Sequence, residues 1–401
     1  MITELIHLNK VNFILKNNKQ SINLVINNKE GKQILNLNIP IKVEDNKKNN
    51  NSGLFKLSPF FRNKEIITNN CDSYWFLNKN FVIFNSYHED ELFLIYQNND
   101  NNNIEVMKLI NKQIVIYLKN IESKLSVIEH FFNDKNNFDY LLTADRNKYI
   151  KIYNISLNYQ LILSFNNGET IGFISSCLLL FDENLLISSI FGKKKNDYTK
   201  IYSLNDIFKN NNIFEKSKNN INMIKKLDDS NNMVVCSILI WDYIKYKIKY
   251  LIQLSNNKII INDIHNYNLY GYLEGIDKNK NNVFYSGNIC NEIFFIAISN
   301  EGFIFYWNIL SKHLIKMIEI NNYNLFDSLL WSNNYLIIGS WNQKNKESMI
   351  KILDISQFMI INNIYVKEIE KISCIRKIVH QKKGNCLLIS GDNNKIILLS
   401  I

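Results

Sequence analysis

The chain has 401 residues, 46% of them hydrophobic, with 47 basic and 37 acidic side chains and a formal net charge of +10. That is enough apolar material for a large core and, by length alone, for about two or three domains. No basic start followed by an apolar stretch opens the chain, and the most apolar window, 171–190, is broken by Asp182, Glu183 and Asn184. Neither a secretory leader nor a membrane-spanning helix, which needs about 20 largely uncharged residues, is therefore expected.

Taken in chain order, residues 1–43 supply three short strand patterns, Val11–Leu15, Ser21–Ile26 and Gln33–Ile39. Residues 44–72 are rich in Asn and Lys and read as a flexible excursion. From residue 73 to 401 a phrase recurs: an apolar run, a polar turn, a second apolar run ending in an aromatic or leucine, then Asn or Asp. Leu141–Ala144 leads to Ile150–Asn154, Phe294–Ser299 to Phe303–Asn308, and Tyr335–Ser340 to Met349–Asp354. Each phrase is a hairpin that cannot bury both of its faces alone, so repetition implies stacked neighbours.

A turn after an aromatic precedes several of these hairpins, at Phe181-Asp182, Trp331-Ser332, Phe132-Asn133 and Trp241-Asp242. Asp and Asn suit such turns because their side chains bond local backbone. Second strands fall at Leu92–Tyr96, Leu141–Thr143, Leu185–Ile190, Tyr250–Leu254, Phe294–Ile298, Leu336–Ser340 and Cys386–Ser390. Most lie about 42 to 51 residues apart, the blade length of a four-stranded propeller repeat. A polar insert, 205–220, accounts for the long step after Leu185. The expected fold is all-β, a seven-bladed β-propeller. The final run, Lys395–Ser400, supplies only a third strand, so one of the strands in 1–43 is expected to complete the last blade and close the ring.

The repeat grammar resembles the WD-repeat family of β-propellers over roughly Asp72–Ile401. Tyr153-Asn154, Trp307-Asn308 and Leu353-Asp354 stand where the family carries its Trp-Asp pair, and Asp145 and Asp392 match its turn aspartate. The departures are large. The one literal pair, Trp241-Asp242, falls in the turn expected after a first strand, and no Gly-His pair opens a repeat. The resemblance implies a scaffold for protein partners, because functions in this family reside in surfaces.

Catalytic ingredients are missing. The six histidines (His7, His88, His130, His265, His313 and His380) form no metal-binding spacing, and six cysteines stand singly. No phosphate-cradling glycine loop and no nucleophile elbow occur, so no cofactor is expected. Single cysteines point to an intracellular location, cytoplasmic or nuclear. Small first-strand residues (Ser176-Cys177, Cys236-Ser237, Asp327-Ser328, Ser373-Cys374) fit the crowded propeller axis, where cysteine acts as a small hydrophobe.

Only Ala144 and Ala297 are alanine and only Arg62, Arg146 and Arg376 are arginine, a composition that reads as AT-rich drift towards Asn, Lys and Ile. Arginine poverty weighs against nucleic acid as a partner, and the absence of adjacent arginines weighs against phosphoinositides. An RNA-associated propeller and a divergent propeller hydrolase are the two alternatives to a scaffold. Three second-to-third-strand loops, Gln97–Asn103, Phe191–Thr199 and Trp341–Ser348, share one predicted face. The expected partner-binding residues are Lys193, Lys194 and Lys195 in the second loop and Trp341, Lys344 and Lys346 in the third, with acidic partner surfaces as their complement.

Overall fold

The computed structural model describes residues 11–14, 22–28 and 31–37 and, between 61 and 400, all but 62, 70, 72–80, 86–90, 119–122, 134, 168–173, 181–183, 190–198, 206–207, 209–220, 228–233, 244–247, 278–279 and 281; the strands within 11–37 and 234–249 are described by backbone alone. The chain divides into two units, Met1–Ser58 and Pro59–Ile401. The first holds a three-stranded antiparallel meander of β1 (Val11–Ile14), β2 (Ile22–Asn28) and β3 (Gly31–Leu37).

The second unit opens with β4 (Asn63–Thr68) and continues as seven four-stranded antiparallel sheets. Blade 1 contains β5 (Phe81–Asn85), β6 (Leu92–Gln97), β7 (Ile104–Lys108) and β8 (Gln113–Leu118). Blade 2 contains β9 (Leu125–Asn133), β10 (Phe138–Asp145), β11 (Tyr149–Asn154) and β12 (Gln160–Asn166). Blade 3 contains β13 (Ile174–Leu179), β14 (Asn184–Ser189), β15 (Thr199–Ser203) and β16 (Met223–Leu227). Blade 4 contains β17 (Val234–Tyr243), β18 (Ile248–Ser255), β19 (Lys258–Asp263) and β20 (Leu269–Tyr272). Blade 5 contains β21 (Phe284–Cys290), β22 (Phe294–Ser299), β23 (Phe303–Asn308) and β24 (Leu314–Glu319). Blade 6 contains β25 (Asn324–Ser332), β26 (Tyr335–Asn342), β27 (Glu347–Asp354) and β28 (Met359–Tyr365). Blade 7 contains β29 (Cys374–His380), β30 (Gly384–Ser390), β31 (Ile396–Ser400) and, as its outer strand, β4.

This is the seven-bladed propeller that the repeat spacing implied, and each expected second strand lies on β6, β10, β14, β18, β22, β26 or β30. The middle strands of a blade are apolar on both sides because each sheet packs against two neighbours. Seven apolar clusters fill seven seams. Phe93, Ile95 and Val106 meet Leu141 and Tyr153 between blades 1 and 2. Further round, Leu142 and Ile152 meet Ile187, and Leu186 and Ile201 meet Leu251. Ile252 and Ile261 meet Phe295 and Trp307, and Ile296 meets Leu336 and Leu353. Ile337 and Ile350 meet Ile389 and Leu399, and Leu388 and Leu398 meet Leu94 and Tyr96, which closes the circle.

The closing strand differs from the expectation. The partner of β31 is β4, with Ile397 opposite Ile66 and Ser400 opposite Asn63, so it comes from the stretch 44–72 and not from the three strands in 1–43. An outer strand buries little, and β4 hides only Ile67 fully, so its sequence looks like a polar loop. Phe61 anchors its start, edge-on to Trp331 at 5.6 Å in the blade 6–7 seam. Past its end, the Cys71 amide donates to Asn394 O at 2.9 Å, and Cys71 bridges to Asn98 of blade 1. Among the described residues no helix is long and apolar enough to cross a membrane.

Candidate functional site

The first strand of each blade is the innermost, and consecutive first strands touch from blade 1 through blade 7. Each presents an unpaired sheet edge, whose amides need partners. Side chains of the preceding blade supply them. Ser328 N–H donates to Ser286 Oγ at 3.1 Å and Leu330 N–H to Asn288 Oδ1 at 3.1 Å. Ile375 N–H donates to Asp327 Oδ2 at 2.7 Å, and Arg376 Nη1 reaches the same oxygen at 3.1 Å. Burial pushes the Asp327 carboxyl up, against the pull of Arg376 and these donors. Small polar residues at first-strand positions thus stitch blade 5 to 6 and blade 6 to 7. Cys177 and Cys374 pack into apolar seams as expected, while the Cys236 side chain lies outside the described residues.

One backbone irregularity repeats around the axis. In blades 2 to 6 the first strand carries an extra residue near its start, and the register skips Ser126, Ser175, Val235, Tyr285 and Phe326. Such a bulge re-aims the side chain it carries. Ser126 and Ser175 turn their hydroxyls onto their own second strands, donating to Ala144 O at 3.2 Å and Ser188 O at 3.1 Å. Tyr285 and Phe326 carry aromatic rings at the same bulge position. Their rings lie 6.0 Å apart at 33° and join Val283 and Trp341 in an eighth apolar cluster, separate from the seven seams. Each member keeps 7–9% of its surface exposed. We call this cluster the shelf, and the face at which first strands begin the top.

Trp341 therefore does not project from a loop. Strands β26 and β27 run on to Asn342 and from Glu347, with Trp341 opposite Ser348, so the indole forms the back of the shelf. Its packing corrects the reading of a free tryptophan anchor: the hairpin is tighter than its polar sequence implied. Lys344 and Lys346 are exposed at the tip of that hairpin, and Lys346 has φ 53°. Glu301 accepts from Asn300 and Glu347 from Asn345, both in turns of the same face. Lys193, Lys194 and Lys195 lie outside the described residues.

The turn aspartates have structural roles. Asp145 accepts the Tyr149 amide at 2.9 Å, and Asp392 pairs with Lys371 at 2.8 Å. Among the described residues no cluster of three potential metal ligands occurs. Sequence reasoning missed Tyr285 and Phe326, because a bulge leaves no mark in an alternating apolar pattern. The nearest available signal was a large apolar residue followed by an aromatic at the start of a first strand: Phe284-Tyr285 on one blade, Leu325-Phe326 on the next. No family model matches the chain, and no curated protein matches it.

Proposed function

We propose that this chain is a non-catalytic, WD-repeat-like scaffold that holds partner proteins in a multiprotein complex, with the shelf as a contact point on its top face. A propeller is a fold that commonly serves protein interaction, and the eighth apolar cluster is the observation that supports this use of it. Seven clusters are needed to close the ring; Tyr285, Phe326, Val283 and Trp341 form one more, at the mouth of the axis, with aromatic surface left in contact with water. Aromatic rings held on rigid strands are the groups that carry most binding energy at protein interfaces.

The non-catalytic reading is supported by the axis itself. Asp327, a carboxylate on an innermost strand, is committed to an amide and a guanidinium. Three lysines, Lys64, Lys112 and Lys312, are engaged on backbone carbonyls of neighbouring blades, which supports a protein partner over an RNA partner.

The test is recovery of partners by gentle affinity purification with Tyr285→Ala and Phe326→Ala combined, beside Lys344→Glu and Lys346→Glu combined. Loss of the same partners in the first variant, with its circular dichroism unchanged, is the expected result. Undiminished recovery of every partner would remove the shelf from the interface.

A further inference from the structure

Two lysines are buried among the described residues, Lys200 and Lys351. Lys351 lies on β27 with 5% of its surface exposed, yet no carboxylate of the described residues is within salt-bridge distance. Its Nζ donates to Asn363 Oδ1 at 3.0 Å, lies 3.9 Å from Met349 Sδ, and sits 3.8 Å from the centre of the Tyr323 ring. The Tyr323 hydroxyl in turn donates to Met349 Sδ at 3.3 Å, so phenol, thioether and amide enclose the amine. Asn363 is exposed on the outer strand β28, which places the amine one hydrogen bond beneath solvent.

A buried ammonium without a counter-charge is costly, and the cost falls when the group becomes neutral. Burial accordingly pulls the Lys351 amine down from the ordinary lysine range. A neutral, desolvated amine is a nucleophile.

We propose that Lys351 is a covalent modification site, the acceptor of an acyl group from a small acyl thioester. The Nζ lone pair forms the N–C bond to the acyl carbon. The C–S bond breaks, its electron pair leaves on the thiolate, and the surplus amine proton neutralises that thiolate. The product amide cannot be protonated to a buried cation and keeps one N–H for Asn363 Oδ1, so the partner is not orphaned.

Incubation of the native full chain with S-acetyl-N-acetylcysteamine at pH 7, followed by peptide mass spectrometry, tests this. Lys351 is expected to carry several-fold more acetyl than the exposed Lys344, and the difference should vanish in denaturant. Asn363→Asp puts a counter-charge on Nζ and should drop Lys351 labelling below that of Lys344 while leaving Lys344 unchanged. Lys351 labelling at or below Lys344 in the native chain would overturn the proposal, as would an Asn363→Asp variant that labels Lys351 like the parent.

Discussion

Asp327 of blade 6 holds Arg376 of blade 7 through one carboxylate oxygen, at 3.1 Å, and that same oxygen accepts the Ile375 amide at 2.7 Å. One side chain therefore satisfies both an unpaired sheet edge and one of the chain's three arginines. Asp327→Ala should orphan the Ile375 amide inside the ring, leave Arg376 its bond to Ile375 O, and cost about 2 kcal/mol, in the range for an unsatisfied buried donor. Asp327→Asn retains an acceptor and should cost less. Urea denaturation of the three proteins measures the order; equal midpoints would show that the stitch between blades contributes nothing.

The seam between blades 7 and 1 should be acid-sensitive. Glu65 on β4 is gripped by Lys383 and by Lys112, the latter at 2.7 Å, and these hydrogen bonds hold its carboxyl down at about 2. A carboxyl depressed in the folded state contributes stability that is present above its unfolded value, near 4.5, and lost as pH falls towards 2. Glu65→Gln should therefore lower the melting temperature at pH 6 and flatten its decline between pH 5 and 2.5. A parallel decline in both proteins would contradict this.

Closure depends on β4 and not on the strands before it. Removing residues 1–58 should leave a monomeric ring, whereas removing 1–70 should expose the outer edge of β31 and produce aggregates in size-exclusion chromatography. Phe61→Ala should cost about 3 kcal/mol, as for other buried aromatic truncations. A monomeric, equally stable 71–401 fragment would refute closure by this strand.

Outer edges are blunted by lysine. Lys112 donates to Ile66 O on β4, Lys64 to Tyr365 O on β28 and Lys312 to Tyr270 O on β20, each at 3.0–3.2 Å and each from a neighbouring blade. Exposed contacts of this kind contribute under about 1 kcal/mol each. Replacing all three by Met should change the melting temperature little and still raise light scattering on concentration, because the edges become templates for pairing. Unchanged scattering would leave these lysines without that role.

Much of this architecture was legible in the sequence, for physical reasons. The second and third strands of a blade are buried on both faces, so runs such as Phe294–Ser299 and Tyr335–Ser340 announce themselves. The small residues Ser176-Cys177, Asp327-Ser328 and Ser373-Cys374 mark first strands because the axis is crowded. The outer strand β4 was hidden because its polar residues Asn63, Lys64 and Glu65 give it the composition of a loop. The shelf was hidden for a different reason: its members come from two blades and are brought together by bulges at Tyr285 and Phe326, which depend on local twist and not on residue type. Trp341 was noticed but misplaced, since the pairing of Trp341 with Ser348 extends the hairpin through residues that read as polar turn.

The central claim is that partners meet this propeller at the shelf. Photo-crosslinking from p-benzoylphenylalanine at position 326, compared with position 317 on the exposed outer strand of blade 5, tests it most directly. The account predicts discrete protein crosslinks from position 326 that disappear with Tyr285→Ala, and none from position 317. Crosslinks confined to position 317, or crosslinks from 326 that are indifferent to Tyr285, would contradict it.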